Sequence, residues 1–337
     1  MFEKIAAWLA HSAAKSSPNY PDQLIRYFLV FILLSLPITL LAVVSYFQIY
    51  QELTTLTLAR REAVAIPVSI ALEEKLDRLV DLGVAFSIHP KLRAAVQSKD
   101  WAAAREVLEV FKATADEPFI DRIFLADAEG VLRADFPALG TAGQDFSFRD
   151  WYQGVVRTSR PYISEVYQRT ATPRYNVVAV ALPVVGDDQH LQGILAQQIR
   201  LDSFLEWSKK IDIGQDGFVY VVDQKGNLVF HPQYSPGDQI VSYAEAPNIK
   251  KLLNGESGVG IFYNPIEKEE RLTAFHPVSG YGWGVVVSQS RQAAYHSRDR
   301  SLQNLAAIYV ALLVINGFLI FLILRAVGHY RNHGGKN

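Results

Sequence analysis

Ile123-Phe124-Leu125-Ala126-Asp127-Ala128-Glu129-Gly130-Val131-Leu132 returns about 96 residues later as Tyr220-Val221-Val222-Asp223-Gln224-Lys225-Gly226-Asn227-Leu228. In each copy an apolar run ends at an Asp, a two-residue step leads to a Gly, and a second run begins. That order reads as strand, tight turn and returning strand. The surroundings repeat as well. Leu182-Pro183-Val184-Val185-Gly186 resembles His276-Pro277-Val278-Ser279-Gly280, and Gly193-Ile194-Leu195-Ala196 precedes Asp202 much as Gly284-Val285-Val286-Val287 precedes Gln292. Two tandem α+β modules follow, each a mostly antiparallel sheet with helices packed on it, divided near Asp212 to Gly214.

Upstream of the repeat, Gln48 to Ser87 carries apolar residues at helical spacing, namely Ile66, Ile70, Leu76, Leu79 and Val80. A long amphipathic helix is expected there, and a second one over about Trp101 to Thr114 after a break at His89-Pro90. Further out, Tyr27 to Phe47 and Leu305 to Leu324 are uncharged and apolar. Each is close to the ~20 helical residues that cross a bilayer. The first is too long and too far from the start to read as a signal peptide. Pro37 and Asn316-Gly317 are read as packing features of helices in lipid. The expected organisation is therefore an N-terminal segment (1–26), a span (27–47), a globular region (48–303), a second span (304–325) and a tail (326–337). Within the globular region lie a long helix (48–96), a first module (97–212) and a second (213–300).

Lys4, Lys15 and Arg26 precede the first span, while Arg325, Arg331 and Lys336 follow the second, which places both termini in the cytoplasm. Arg60, Arg61, Arg298 and Arg300 lie on the other side, beside Glu62 and Asp299. The start of the chain, with Phe2, Ile5, Trp8 and Leu9 interleaved with Lys4 and Lys15, has the pattern of an interfacial helix or of a frayed end.

A net charge of -1 over 337 residues gives no general attraction to nucleic acid. With no cysteine, disulfides, thiolate metal sites and a cysteine nucleophile are all excluded. The 8 histidines form no zinc-type pair within the globular region. His329 and His333 are four apart, in a polar tail with no third ligand. Gly280-Tyr281-Gly282-Trp283-Gly284 precedes a strand where a phosphate loop would follow one, so it reads as a hairpin turn. Glu267 to Glu270 and Asp187-Asp188 read as solvated turns. No nucleophile elbow, oriented His–carboxylate pair or metal triad is evident, so a protein without enzymatic activity, metal or cofactor is expected.

The block from Phe218 to Pro232, the later Gly282-Trp283-Gly284-Val285-Val286-Val287 and the run Phe148-Arg149-Asp150-Trp151-Tyr152 resemble the double Cache family of extracytoplasmic sensor domains, over about Gln48 to Arg300. The resemblance implies a long helix leading out of a bacterial inner membrane into a membrane-distal and a membrane-proximal PAS-like module. It also implies a small ligand in the distal module and dimerisation through the long helix. After Leu324 only about 13 residues remain, so the resemblance further implies signalling through a separate kinase, cyclase or chemotaxis protein, or a longer gene.

Read from the residues alone, Phe146, Phe148, Arg149, Trp151, Tyr152 and Tyr162 either build a site for a small anion or are core residues beside a surface arginine. The resemblance matches Arg149, Trp151 and Tyr152 to residues that grip a ligand carboxylate, and Tyr162 to a later pocket tyrosine. Three departures stand out. Gln144 replaces a tyrosine five residues before the arginine, Ser164 an acidic residue two after the pocket tyrosine, and Gln198 a strand aspartate that pairs with a ligand ammonium. The candidate ligand set is thus Phe148, Arg149, Trp151, Tyr152, Tyr162, Ser164 and Gln198. The ligand expected is an organic acid or other compact anion without a free amine, because a buried unpaired ammonium is costly. A scaffold that binds a protein partner is the rival reading, distinguished by a filled interior around Arg149 where a sensor has a polar void.

Overall fold

The computed structural model describes residues 20–115, 119–232 and 239–334. The N-terminal pattern Phe2, Lys4, Ile5, Trp8, Leu9 and Lys15, and Lys336 of the tail, lie outside the described residues. Two compact units are formed, Met1–Thr55 with Tyr295–Asn337, and Leu56–Ala294.

Helix α1 (Tyr20–Ser87) runs without interruption from the first apolar stretch into the amphipathic one. It does not reach residue 96. His89 takes an extended conformation (φ -62, ψ 128) ahead of Pro90, as a residue before proline must, and the chain restarts as α2 (Pro90–Gln97). Helix α3 (Trp101–Thr114) is N-capped by Asp100, which accepts from the Ala103 N–H at 3.0 Å.

The first module carries β1 (Ile120–Asp127), β2 (Leu132–Phe136), β3 (Tyr162–Ile163), β4 (Tyr167–Gln168), β5 (Asn176–Val185) and β6 (Leu191–Arg200). Their order is β2-β1-β6-β5-β3, with β4 also on β5, and every pair is antiparallel. Helix α4 (Asp150–Thr158) lies on this sheet, and α5 (Leu201–Ser208) leads into the second module. There β7 (Gly217–Val222), β8 (Leu228–Phe230), β9 (Gly258–Asn264), β10 (Glu269–Pro277) and β11 (Gly284–Ser290) form an antiparallel sheet in the order β8-β7-β11-β10-β9, with α6 (Pro247–Leu253) against it.

The repeated Asp and Gly have the same job in both hairpins. Asp127 Oδ1 accepts from the N–H groups of Glu129 and Val131 at 3.2 and 2.8 Å, and Asp223 Oδ1 from those of Lys225 and Asn227 at 2.9 and 2.8 Å. Gly130 and Gly226 sit at φ +91° and +77°, with the backbone of Ser147 or Ala244 where a Cβ would stand. One correspondence shifts: Pro183 pairs with Ile194, whereas Pro277 pairs with Gly284, so Gly193 and Gly284 are one register step apart.

Alternation along the strands divides each sheet into two faces. Ile123, Leu125, Val180, Leu182 and Leu195 of the first sheet and Val219, Val221, Val285 and Val287 of the second join one core with Ala65, Val68, Leu72, Leu76 and Leu79 of α1. The opposite face of the first sheet presents Phe124, Ala126, Ala179, Ala181 and Ala196 to Trp151 and Val155 of α4. Of the expected stripe on α1, Leu76 and Leu79 are buried, while Ile66 and Ile70 remain 38% and 48% exposed. The core-facing residues step by three and four from Ala65, which turns Ile66 and Ile70 outward.

In the other unit, the first apolar stretch of α1 meets α7 (Arg291–Gly334), and each helix is long and apolar enough to cross a membrane. Asn316 Nδ2 donates to Ser35 Oγ at 3.0 Å, and Thr39 Oγ1 lies 2.8 Å from the Tyr309 hydroxyl. A Cβ on Gly317 would stand 3.4 Å from the Phe31 ring, so Asn316-Gly317 is where the helices pack.

Candidate ligand cavity

Between the helix-α4 face of the first sheet and the loops around it lies a cavity lined by Arg122, Phe124, Leu132, Thr141, Phe146, Arg149, Trp151, Tyr167, Arg169, Thr170 and Gln198. The space between its atoms, open mouth included, is about 320 Å3, of which about 20 Å3 admits a water-sized sphere. Three lining residues are arginines and none is acidic.

The sheet supplies the back wall. Arg122 on β1 and Gln198 on β6 are register partners, on the same face as Phe124. Arg122 pairs with Asp135 and donates to Thr141 Oγ1 at 2.6 Å, while its Nε is buried without an acceptor. Gln198 Nε2 donates to the Tyr167 hydroxyl at 3.2 Å, and its Oε1 is buried without a donor.

Arg149 stands in extended conformation (φ -75, ψ 143) immediately before α4. Its Nη2 donates to the Gln168 carbonyl and to Thr170 Oγ1 at 3.2 and 3.1 Å, and its guanidinium lies 4.7 Å from the Tyr167 ring centroid and 5.2 Å from that of Phe148. Its Nε is buried and unpartnered. Arg169 is committed elsewhere: Nη1 meets Asp121 at 2.8 Å and also the Tyr175 hydroxyl, and Nε donates to the carbonyls of Ala171 and Pro173. Among the described residues, Arg149 is thus the one lining guanidinium without a carboxylate partner. Burial pushes the Tyr167 phenol above its ordinary range, against the Gln198 hydrogen bond and the charges of Arg149 and Arg122.

Of the expected ligand residues, Arg149, Trp151 and Gln198 line the cavity. The others do not reach it. Tyr152 donates to the Ala128 carbonyl at 2.7 Å, Tyr162 to Asp150 at 3.2 Å, and Ser164 is tied to Glu165 and Ala179. Phe148 is 63% exposed and stacks on Arg149 from outside. The tyrosine that does face the cavity is Tyr167, and the position two beyond it is Arg169, where a serine at 164 had been expected to replace an acidic residue. Alternation could have found Arg122, one step of two from Phe124 on β1, and the pair Tyr167 and Arg169. Nothing in the sequence marks Thr141 or Thr170, which enter through irregular loops.

The double-Cache model of the family described as Cache domain matches residues 43–297. The chain belongs to the Cache domain family. Among curated relatives of this Cache chain, the methyl-accepting chemotaxis protein TlpB of Bacillus subtilis is 24% identical over 92% of the chain and 45% of that protein. The first two such relatives are matched over only 30% and 45% of their length. Among solved structures, the ligand-binding domain of the Pseudomonas fluorescens chemoreceptor CtaA, in complex with L-isoleucine, superposes with a TM-score of 0.57 at 16% identity, covering 73% of this chain and 98% of that one. That of the Pseudomonas aeruginosa amino-acid chemoreceptor PctB, in complex with L-Gln, gives 0.54 at 17%, covering 74% and 98%. These likenesses establish the fold, a long helix carrying two PAS-like antiparallel sheets.

Proposed function

We propose that the chain is a two-span sensor of the bacterial inner membrane, with both termini cytoplasmic, whose first Cache module lies distal to the membrane and binds a compact anion, above all a carboxylate. The observation that carries this reading is the lining: three arginines, no acidic residue, and Arg149 without a carboxylate partner. L-isoleucine and L-glutamine, the ligands of the solved relatives, each present a carboxylate and an ammonium. This cavity offers a guanidinium for the first and no carboxylate for the second.

Ligand binding acts across the membrane only by favouring one packing of α1 and α7 over another. A second copy of the chain fits the outward stripe of α1, where Leu56, Ala59, Ala63, Ile66 and Ile70 recur at steps of three and four and are exposed. By analogy with the relatives, the output is a chemotaxis-type or kinase partner.

The test is calorimetric titration of the full chain in nanodiscs against organic acids, amino acids, amines and purines, repeated with Arg149→Ala. Saturable binding of an organic acid, lost in the variant, is expected. Tight binding of an amine or purine that survives Arg149→Ala would overturn the reading.

A further inference from the structure

We infer that the ligand is a monoanion of net charge -1 that carries a hydroxyl beside its carboxylate, a 2-hydroxy acid; this rests on the anion-sensor reading and sharpens it. Two observations carry it, a charge count and an orphaned acceptor.

Of the three guanidinium groups at the cavity, Arg122 is neutralised by Asp135 and Arg169 by Asp121, which leaves the single charge of Arg149. A carboxylate of charge -1 cancels it. A zwitterionic amino acid brings no net charge, so its ammonium would remain uncompensated in a cavity without an acidic wall. A dianion would leave one negative charge in excess. Burying an uncompensated charge costs far more than a neutral hydrogen bond returns.

The unpaired polar atoms define the rest of the ligand. Arg149 Nε and Arg122 Nε are buried donors without acceptors, matched to the lone pairs of a carboxylate. Gln198 Oε1 is a buried acceptor without a donor, because the amide nitrogen is engaged by Tyr167. It calls for one neutral donor at the cavity's back wall, and a hydroxyl supplies one without adding charge. A 2-oxo acid would set two acceptors against each other there.

Titration of the full chain in nanodiscs with propanoate, 2-hydroxypropanoate, 2-oxopropanoate and L-alanine, and with their longer homologues, reads each element separately. The hydroxy acid is expected to bind about tenfold more tightly than the unsubstituted acid, the worth of one buried hydrogen bond, with the 2-oxo acid and the amino acid weaker still. Gln198→Glu adds the missing negative charge and is expected to invert the order so that L-alanine or its homologues bind best. That gain of binding requires a folded protein and so reports its own control. Equal affinity for substituted and unsubstituted acids, or preference for the 2-oxo acid, would overturn the hydroxyl assignment while the anion-sensor reading stands. Wild-type preference for the amino acid would overturn the charge count. Failure of every acid to bind would remove the anion-sensor reading itself.

Discussion

Asp127 and Asp223 occupy one position in a repeated hairpin, yet their second oxygens have different partners. Asp127 Oδ2 takes Arg133 Nε at 2.6 Å, within its own module. Asp223, fully buried, uses Oδ2 to accept from the Val166 N–H at 2.8 Å and from Asn227 Nδ2 at 3.0 Å, so it serves both modules. Asp223→Asn replaces one accepting oxygen with a donor facing backbone N–H groups. A loss of about 2 kcal/mol in chemical denaturation is expected, and less for Asp127→Asn, which is nearer solvent. Tyr167 bears on pH dependence. Because burial holds its phenol above the ordinary range, it stays protonated where a free tyrosine would begin to ionise. Carboxylate affinity should therefore stay level from about pH 6 to pH 9. A fall between neutrality and the upper limit, seen by titration, would show that the tyrosine or another group at the cavity ionises earlier.

The elements differ in how openly the sequence announces them. Helix α3 matches its expected limits, Trp101 to Thr114, because cap, period and flanking breaks agree. Helix α1 was harder to read, since one face packs on two sheets while another carries apolar residues outward, and both sets recur at helical spacing. Gly83 marks the buried face: a Cβ there would stand 2.2 Å from Gln197 and 2.4 Å from Leu182. Gly83→Val should cost about 1–3 kcal/mol by overpacking, measurable as a lowered denaturation midpoint. Ile70→Glu tests the outward face. It should shift the mass measured in detergent toward monomer while leaving the melting temperature within a few degrees of wild type, because an exposed position carries little core energy. A stable dimer in that variant would place self-association elsewhere. Between the two long apolar helices, Asn316→Leu removes the bond to Ser35 and should weaken helix association by about 1 kcal/mol, as reported by unfolding in micelles.

For the molecule as a whole, the repeat and the two apolar stretches were enough to anticipate two antiparallel modules on a long helix, because hairpin turns and period-2 strands are local signals. The cavity is not local. Arg149, Trp151 and Gln198 were legible through family resemblance, whereas Arg122 on β1 and Arg169, just beyond β4, belong to no quoted motif and could be found only by alternation along those strands. Thr141 and Thr170 depend on loop paths that no periodicity encodes. The hydrogen bond from Val166 to Asp223 has a further consequence, for how the chain can be divided. Although the sequence reads as one unit written twice, the first copy contains, between β3 and β4, a buried amide whose acceptor belongs to the second, beside Gln224, which donates to the Ile163 carbonyl. Excision of either copy at the apparent boundary would strand this buried N–H, at a cost of about 1–3 kcal/mol to the copy that keeps it.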